Sequence, residues 1–474
     1  MAAEGRKDSA SATTTVGRNS SRYGGTGVLS GTDRGPQRTL GLNHSGARQA
    51  KKRFWPLALF VVGLVIPVYI PLGPLRLSVY RLVLLLAFMP TFVSWLAGKA
   101  GRIRLPDILL LAFCFWCSLS FITVHGLALS IEAIGILWIE TMGSYLLARC
   151  YIRTADDFLR LARLLFWTIA VLLPFALVEA LTGTKPLLKF FGAFLPTPES
   201  QWMPPRLGLE RAQGPFEHSI LFGVFCGSAV ALTHLVVARN KPLLQRWSMT
   251  ATVVATSFFS FSAGPLTGVG VQFALIAWNW LLRSVQARWK ILWGMAAAMY
   301  AFIAIASNQS VPQFVVTRVA FNKETAYFRL LIWDYGSAAA LKNPFVGVGF
   351  GEWERPDWMP PSIDMFWLIY AVRHGIPAGA LLLLFFFAVV IAVGFRKGLN
   401  SRLLDYRTAY LITMAAFFVT GWATHFWNAT YVLLFFLAGS GMWLLDVKPM
   451  QSAPSTAGEP QRTDGALLRP RRPL

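Results

Sequence analysis

Ile376-Pro-Ala-Gly-Ala-Leu-Leu-Leu-Leu-Phe-Phe-Phe-Ala-Val-Val-Ile-Ala-Val-Gly-Phe395 carries no charged side chain, and Arg373-His374 and Arg396-Lys397 flank it. A helix rises about 1.5 Å per residue, so some 20 such residues match the hydrocarbon core of a bilayer, about 30 Å thick. Comparable apolar stretches recur from Phe54 almost to Asp446. Of the 474 residues 55% are hydrophobic and 14% charged, with mean hydropathy +0.51, whereas soluble domains carry about a quarter charged residues. The pattern predicts an all-α, polytopic transmembrane helix bundle and excludes a soluble enzyme with one anchor.

Helices of about 12 spans are expected near 54–71, 77–97, 106–124, 128–148, 160–181, 215–238, 246–262, 264–283, 289–307, 367–395, 406–426 and 428–446. The 246–283 pair, interrupted by Ser262-Ala263-Gly264-Pro265, reads either as two spans or as one discontinuous element. Together these make one membrane domain, 54–446. The flanking segments 1–53 and 447–474 are rich in Gly, Ser, Pro and Arg and read as disordered cytoplasmic tails, the first without a signal-peptide core.

The formal net charge is +22, from 44 Lys and Arg against 22 Asp and Glu. Its distribution reports topology rather than nucleic-acid binding. Each of five short loops on one side holds three or four basic residues, such as Lys99, Arg102 and Arg104, whereas the opposite short loops hold only Arg76. Lys and Arg accumulate in short cytoplasmic loops, so both termini are expected inside. Alternation then puts two long loops, 182–214 and 308–366, outside. Loops longer than about 15 residues are usually functional or disordered, and the Trp, Pro, Gly and charge in these two favour an ordered site.

The first long loop ends Arg206-Leu-Gly-Leu-Glu-Arg211-Ala-Gln-Gly214-Pro-Phe-Glu-His218. Guanidinium groups donate in a planar fork suited to phosphate oxygens, most strongly beside low-dielectric lipid. Arg206 and Arg211 therefore read as anion contacts, or alternatively as side chains snorkelling to headgroups. The second long loop contains Arg318, then Arg329-x3-Trp333, Asn343-Pro-x3-Gly347-x-Gly349-x-Gly351, Ser362-Ile-Asp364 and Trp367, and leads to Arg373-His374-Gly375-x3-Gly379. An amphipathic helix near 325–341 would set Arg329 and Trp333 on one face, and the glycines would let backbone approach a ligand. No strand precedes the glycine string, so it is not a nucleotide-binding fingerprint.

At these residues the chain resembles the O-antigen ligase and polymerase superfamily: Arg211-x2-Gly-Pro-Phe, Arg329-x3-Trp333, Asn343-Pro-x3-Gly-x-Gly, and Asp364 eleven residues before Gly375-x3-Gly379. The likeness covers about 200–395 and the twelve-span plan with a large late loop. It implies a bacterial inner-membrane glycosyltransferase acting on the periplasmic side, using an undecaprenyl-diphosphate-linked oligosaccharide donor and a hydroxyl of an acceptor glycan. The resemblance implies no cofactor and no metal, and a chain-length regulator as a further partner. Carried over by position, Arg211 would hold diphosphate and Asp364 would position or deprotonate the acceptor, with Arg329 as a second phosphate contact. Ligases of this superfamily typically show His-Asn where this chain has Asp364-Met365, which favours the polymerase-like members. They also show Ser-Arg where it has Ser262-Ala263, so Arg329, Arg373 or Arg318 would have to supply that charge.

Each candidate has a plainer reading. Asp364 could be a helix N-cap, with Ser362 as competitor. Arg373 and His374, expected some 14–15 Å along one continuous helix, call for a buried partner such as Glu132 or Glu140. His218 could act as base or as a hydrogen-bonded interface residue. Trp202, Trp353, Trp358 and Trp367 could stack on sugars or simply pack. Cys114-x2-Cys117 lies inside an apolar span, and all four cysteines are expected to be free thiols. Three functions remain open: repeat-unit polymerisation to exopolysaccharide or O-antigen, ligation to a lipid A core, and transport or flipping of a lipid-linked glycan. A carrier-binding assembly subunit is a further possibility.

Overall fold

The computed structural model of the chain describes residues 44–72, 75–307, 314 and 323–448, and the described residues from Gln49 onward belong to one compact unit. Most of the two expected tails, and Arg318 in the second long loop, lie outside the described residues. The chain order is α1 (His44–Gly63), β1 (Tyr69–Leu72), β2 (Leu75–Ser78), α2 (Val79–Leu96), α3 (Leu105–His125), α4 (Leu127–Tyr151), α5 (Ala155–Thr182), α6 (Pro186–Gly192), α7 (Ser219–Val237) and α8 (Leu243–Phe258). Then follow α9 (Ala263–Leu281), α10 (Arg288–Ala306), α11 (Lys323–Lys342), α12 (Phe366–His374), α13 (Ile376–Gly394), α14 (Ser401–Gly421) and α15 (Asn428–Leu445).

Among the described residues, eight helices are long and apolar enough to cross a membrane: α2, α3, α4, α5, α7, α10, α13 and α15. In α7 and α15 the best apolar windows are 83% and 89% buried, and in the other six 6–39%. These two helices form the centre, and the others turn apolar faces such as Leu86, Met89, Trp167 and Val171 outward. A helix that is apolar all round and only partly covered by protein suits lipid. The expected helices 246–262 and 264–283 are two elements folded back on each other, because Trp247 in α8 stacks on Phe273 in α9 with ring centroids 6.3 Å apart. Their junction, Phe259–Ser262, bends through Phe261 at φ 44°.

Three boundaries differ from expectation. The first helix begins at His44 rather than Phe54 and ends at Gly63; Pro67 and Pro71 remove backbone donors beyond it, and an antiparallel hairpin pairing Tyr69 with Ser78 takes their place. The helix expected over 367–395 is broken at Gly375, whose φ of 84° no helix permits, and α13 restarts with Pro377 in its first turn. Arg373 and His374 thus precede the apolar helix instead of lying deep within it. In α4 a π-helical stretch, Ile139–Gly143, interrupts the α pattern, and the Ser144 hydroxyl donates to the Glu140 carbonyl at 2.5 Å.

Local chemistry sets several ends. Thr154 and Asp157 form a reciprocal cap on α5, which stops at Gly183 in the left-handed region, and the Asn400 side chain accepts from Leu403 N–H on α14. All four cysteines are free, with Cys114 and Cys117 buried among apolar side chains.

Candidate functional site

A cavity of about 580 Å³ opens between α3, α4, α12 and the turn that joins α14 to α15. Its wall includes Asp364, Ser362, Arg373, His374, His425, Trp427, Asn428, Glu140, Tyr370 and Tyr431. The volume falls in the range of small-molecule sites, about 300–1,000 Å³, and the mix of aromatic faces with a few polar groups is typical of them.

The break between α12 and α13 shapes one wall. Opening a helix frees carbonyl groups that must find donors. Here the Asn343–Gly349 turn supplies two, Val348 N–H donating to Val372 O at 3.0 Å and Gly349 N–H to Arg373 O at 2.8 Å, and α3 supplies a third, Trp116 Nε1 to His374 O at 3.0 Å. In return Ile376 N–H donates to Pro344 O at 2.7 Å. Gly347 and Gly349 have φ of 64° and 60°, and a Cβ would strike the Arg373 backbone or the His125 ring. These glycines therefore let the turn lie close against the end of α12 and the His125 ring.

Arg206 and Arg211 converge on the α8–α9 junction. Arg206 Nη1 donates to Phe261 O at 2.8 Å, and Arg211 Nη2 to Ser262 Oγ at 2.7 Å. Arg329 Nε donates to Ala423 O at 3.1 Å, and its charge acts on Asp364 as well as on Arg206. The expected i, i+4 face of α11 is present, since Trp333 stacks edge-on against Trp422 at 6.0 Å beside that contact. Among the described residues, Arg206, Arg211, Arg329 and Arg373 form no ion pair, while eight other arginines do. Burial, then the neighbouring Arg206, push Arg211 down to about 10, so it remains cationic at neutral pH.

Asp364 opens onto the cavity while protein hems in its other sides. That crowding raises its carboxyl above the ordinary value, and Arg329 and a hydrogen bond from Ser362 pull it back. His218 caps α7, its Nδ1 accepting from Ile220 N–H at 3.1 Å. Burial and the charges of Arg211 and Lys185 push it down to about 4, which leaves a neutral ring 6.3 Å from Trp427.

Other expectations come apart. Trp367 is 2% exposed, packed against Phe386 and Phe418 with Nε1 donating to Phe418 O at 2.9 Å, so it belongs to the core and does not line the cavity. Trp353 is likewise buried, whereas Trp202 and Trp358 are exposed. Glu140 does not partner Arg373 or His374. Arg81 Nε holds it at 2.7 Å, and Arg81 Nη2 continues to Asn428 Oδ1 at 3.0 Å, whose amide donates to Glu217 at 2.7 Å. His374 is 3.1 Å from Ser120 Oγ, Arg373 donates to Gly349 O at 3.3 Å, and Glu132 is exposed.

Arg81, Asn428, Trp427 and His425 were not expected at the site, and Glu140 was expected only as a partner of Arg373 or His374. The sequence offers one signal for Arg81 and Glu140: each is a charged side chain within an apolar run, and such groups need partners. Among the described residues no group of three His, Cys, Asp or Glu side chains could hold a metal ion. No protein-family model matches the chain, and no curated protein matches it.

Proposed function

We propose that the protein is a membrane glycosyltransferase that moves a glycan from an undecaprenyl-diphosphate carrier to an acceptor sugar hydroxyl on the periplasmic face, with both termini cytoplasmic and about 12 spans. The observation that carries this reading is a set of arginines, Arg206 and Arg211 on the α8–α9 junction and Arg329, whose charge acts on the cavity's Asp364; their guanidinium groups meet carbonyls and a hydroxyl and, among the described residues, no carboxylate within ion-pair distance. Each keeps donors for an anion, and a diphosphate leaving group accumulates charge as its bond to the sugar breaks. Arg211 and Arg206 hold the diphosphate, Arg329 and Arg373 add charge on the cavity side, and Asp364 positions or deprotonates the attacking hydroxyl. Trp427 and Tyr370 offer the cavity aromatic faces on which sugar rings stack.

The reaction polymerises repeat units of an exopolysaccharide or O-antigen. Asp364-Met365, in place of His-Asn, favours this over ligation to lipid A core, which is the same chemistry with another acceptor. The test is carrier binding by the purified chain in detergent, read by native mass spectrometry. Undecaprenyl diphosphate is expected to bind, and Arg211→Ala to weaken it by about tenfold or more, the scale of one charge-assisted contact of about 1.5–3 kcal/mol. Equal binding of a neutral polyprenol, indifferent to Arg211, would contradict the reading.

A further inference from the structure

We infer that His425 takes the proton from the acceptor hydroxyl while Asp364 holds that hydroxyl in place, an assignment that rests on the glycan-transfer reading above. His425 lies in the turn between α14 and α15 and shares the cavity wall with Asp364 and Ser362. Its ring is stacked on Phe366, 6.3 Å away at 23°, and on Trp427, 5.7 Å away at 25°. Two aromatic contacts fix the plane of the imidazole without using either nitrogen. Among the described residues Nδ1 is buried with no hydrogen-bond partner, which leaves Nε2 as the nitrogen that meets the cavity.

The other histidines of the region are committed. His218 spends Nδ1 on the α7 cap, His374 lies against Ser120, and His125 Nε2 accepts from Phe350 N–H at 2.8 Å. Among the described residues, His425 is the imidazole at this cavity that ring stacking orients and no hydrogen bond engages. Asp364 differs in kind: Arg329 and Ser362 already compensate its charge, which suits a carboxylate that accepts a hydrogen bond and aims the donor. Burial and the Arg373 charge push His425 down to about 3, so the ring is neutral and able to accept. A diphosphate bound nearby acts in the opposite sense from Arg373 and raises its basicity when substrate is present.

The step balances within the substrates. As the acceptor oxygen bonds to the anomeric carbon, its proton passes to Nε2. The bond from that carbon to the diphosphate oxygen breaks, its electron pair stays with the diphosphate, and the imidazolium then returns the proton to the diphosphate or to water. With Nε2 accepting, Nδ1 carries the other hydrogen.

The test uses membranes from cells that make lipid-linked glycans and lack this protein, supplied with wild type, His425→Gly or His425→Gln. Wild type must restore glycan output; if it does not, the glycan-transfer reading falls and not this assignment alone. Given restoration, His425→Gly is expected to lower output by about 10²–10⁴, the usual contribution of a general base, and added imidazole to recover part of it. His425→Gln, which keeps bulk and polarity, is expected to accumulate normally and to be as inactive without responding to imidazole. Activity in His425→Gln, or a His425→Gly protein of normal abundance that imidazole does not revive, would overturn the assignment.

Discussion

Asp364 sits between opposing influences: surrounding protein raises its carboxyl, and Arg329 with Ser362 lowers it. Its working form is the ionised one, so activity is lost as pH falls through its pKa. That acid limb is expected above the ordinary carboxylate value of 3.8. Arg329→Gln removes a lowering influence and should move the limb to still higher pH, which a pH profile of glycan transfer in membranes can read. An unmoved limb would separate Asp364 from Arg329. Both residues were legible in the sequence, because Arg beside Trp and Asp before a glycine-marked helix are local patterns. His425 was not legible. Its role comes from stacking on Phe366 and from an open cavity wall, neither of which is local in sequence.

For the elements, eight of the twelve expected spans coincide with helices long and apolar enough to cross a membrane, because about 20 apolar residues in lipid leave the backbone little choice but a helix. Hydropathy did not reveal the break between α12 and α13. The run from Trp367 to Phe395 is almost uniformly apolar, and the donors that let it break, Val348 N–H and Gly349 N–H, come from a distant turn. Gly375 and Pro377 were visible but are tolerated in membrane helices, so they did not decide the matter. The account predicts a contrast between two left-handed glycines. Gly98, at φ 71°, has open space around its Cβ position, and Gly98→Ala should cost about 1–2 kcal/mol. Gly347, at φ 64°, would drive its Cβ into the backbone of Val372 and Arg373, so Gly347→Ala should cost several times that. Thermal unfolding in detergent compares the two, and equal losses would show that the turn does not brace the break.

Across the whole molecule, arginines serve two purposes. At the end away from the cavity, the nearly fully buried Arg149 donates to Ala100 O and Arg102 O at 2.8 Å and pairs with Asp107, while Arg104 and Arg153 grip Asp446 at 2.7 and 3.1 Å. These basic residues read in the sequence as markers of the cytoplasmic side, and several also staple the end of α15 to the α2–α3 turn. Around the cavity Arg81 holds Glu140 at 2.7 Å, whereas Arg206, Arg211, Arg329 and Arg373 form no ion pair among the described residues. Those four keep donors for an anion, as the proposed function requires.

The most direct measurement is the glycan profile of cells lacking the protein and complemented with wild type, Arg211→Ala or Asp364→Asn at matched expression. The account predicts long chains with wild type and accumulation of single lipid-linked repeat units with both variants. Long carrier-linked chains that never reach lipid A would assign ligation instead. A wild-type profile from both variants would contradict the site and the reaction alike.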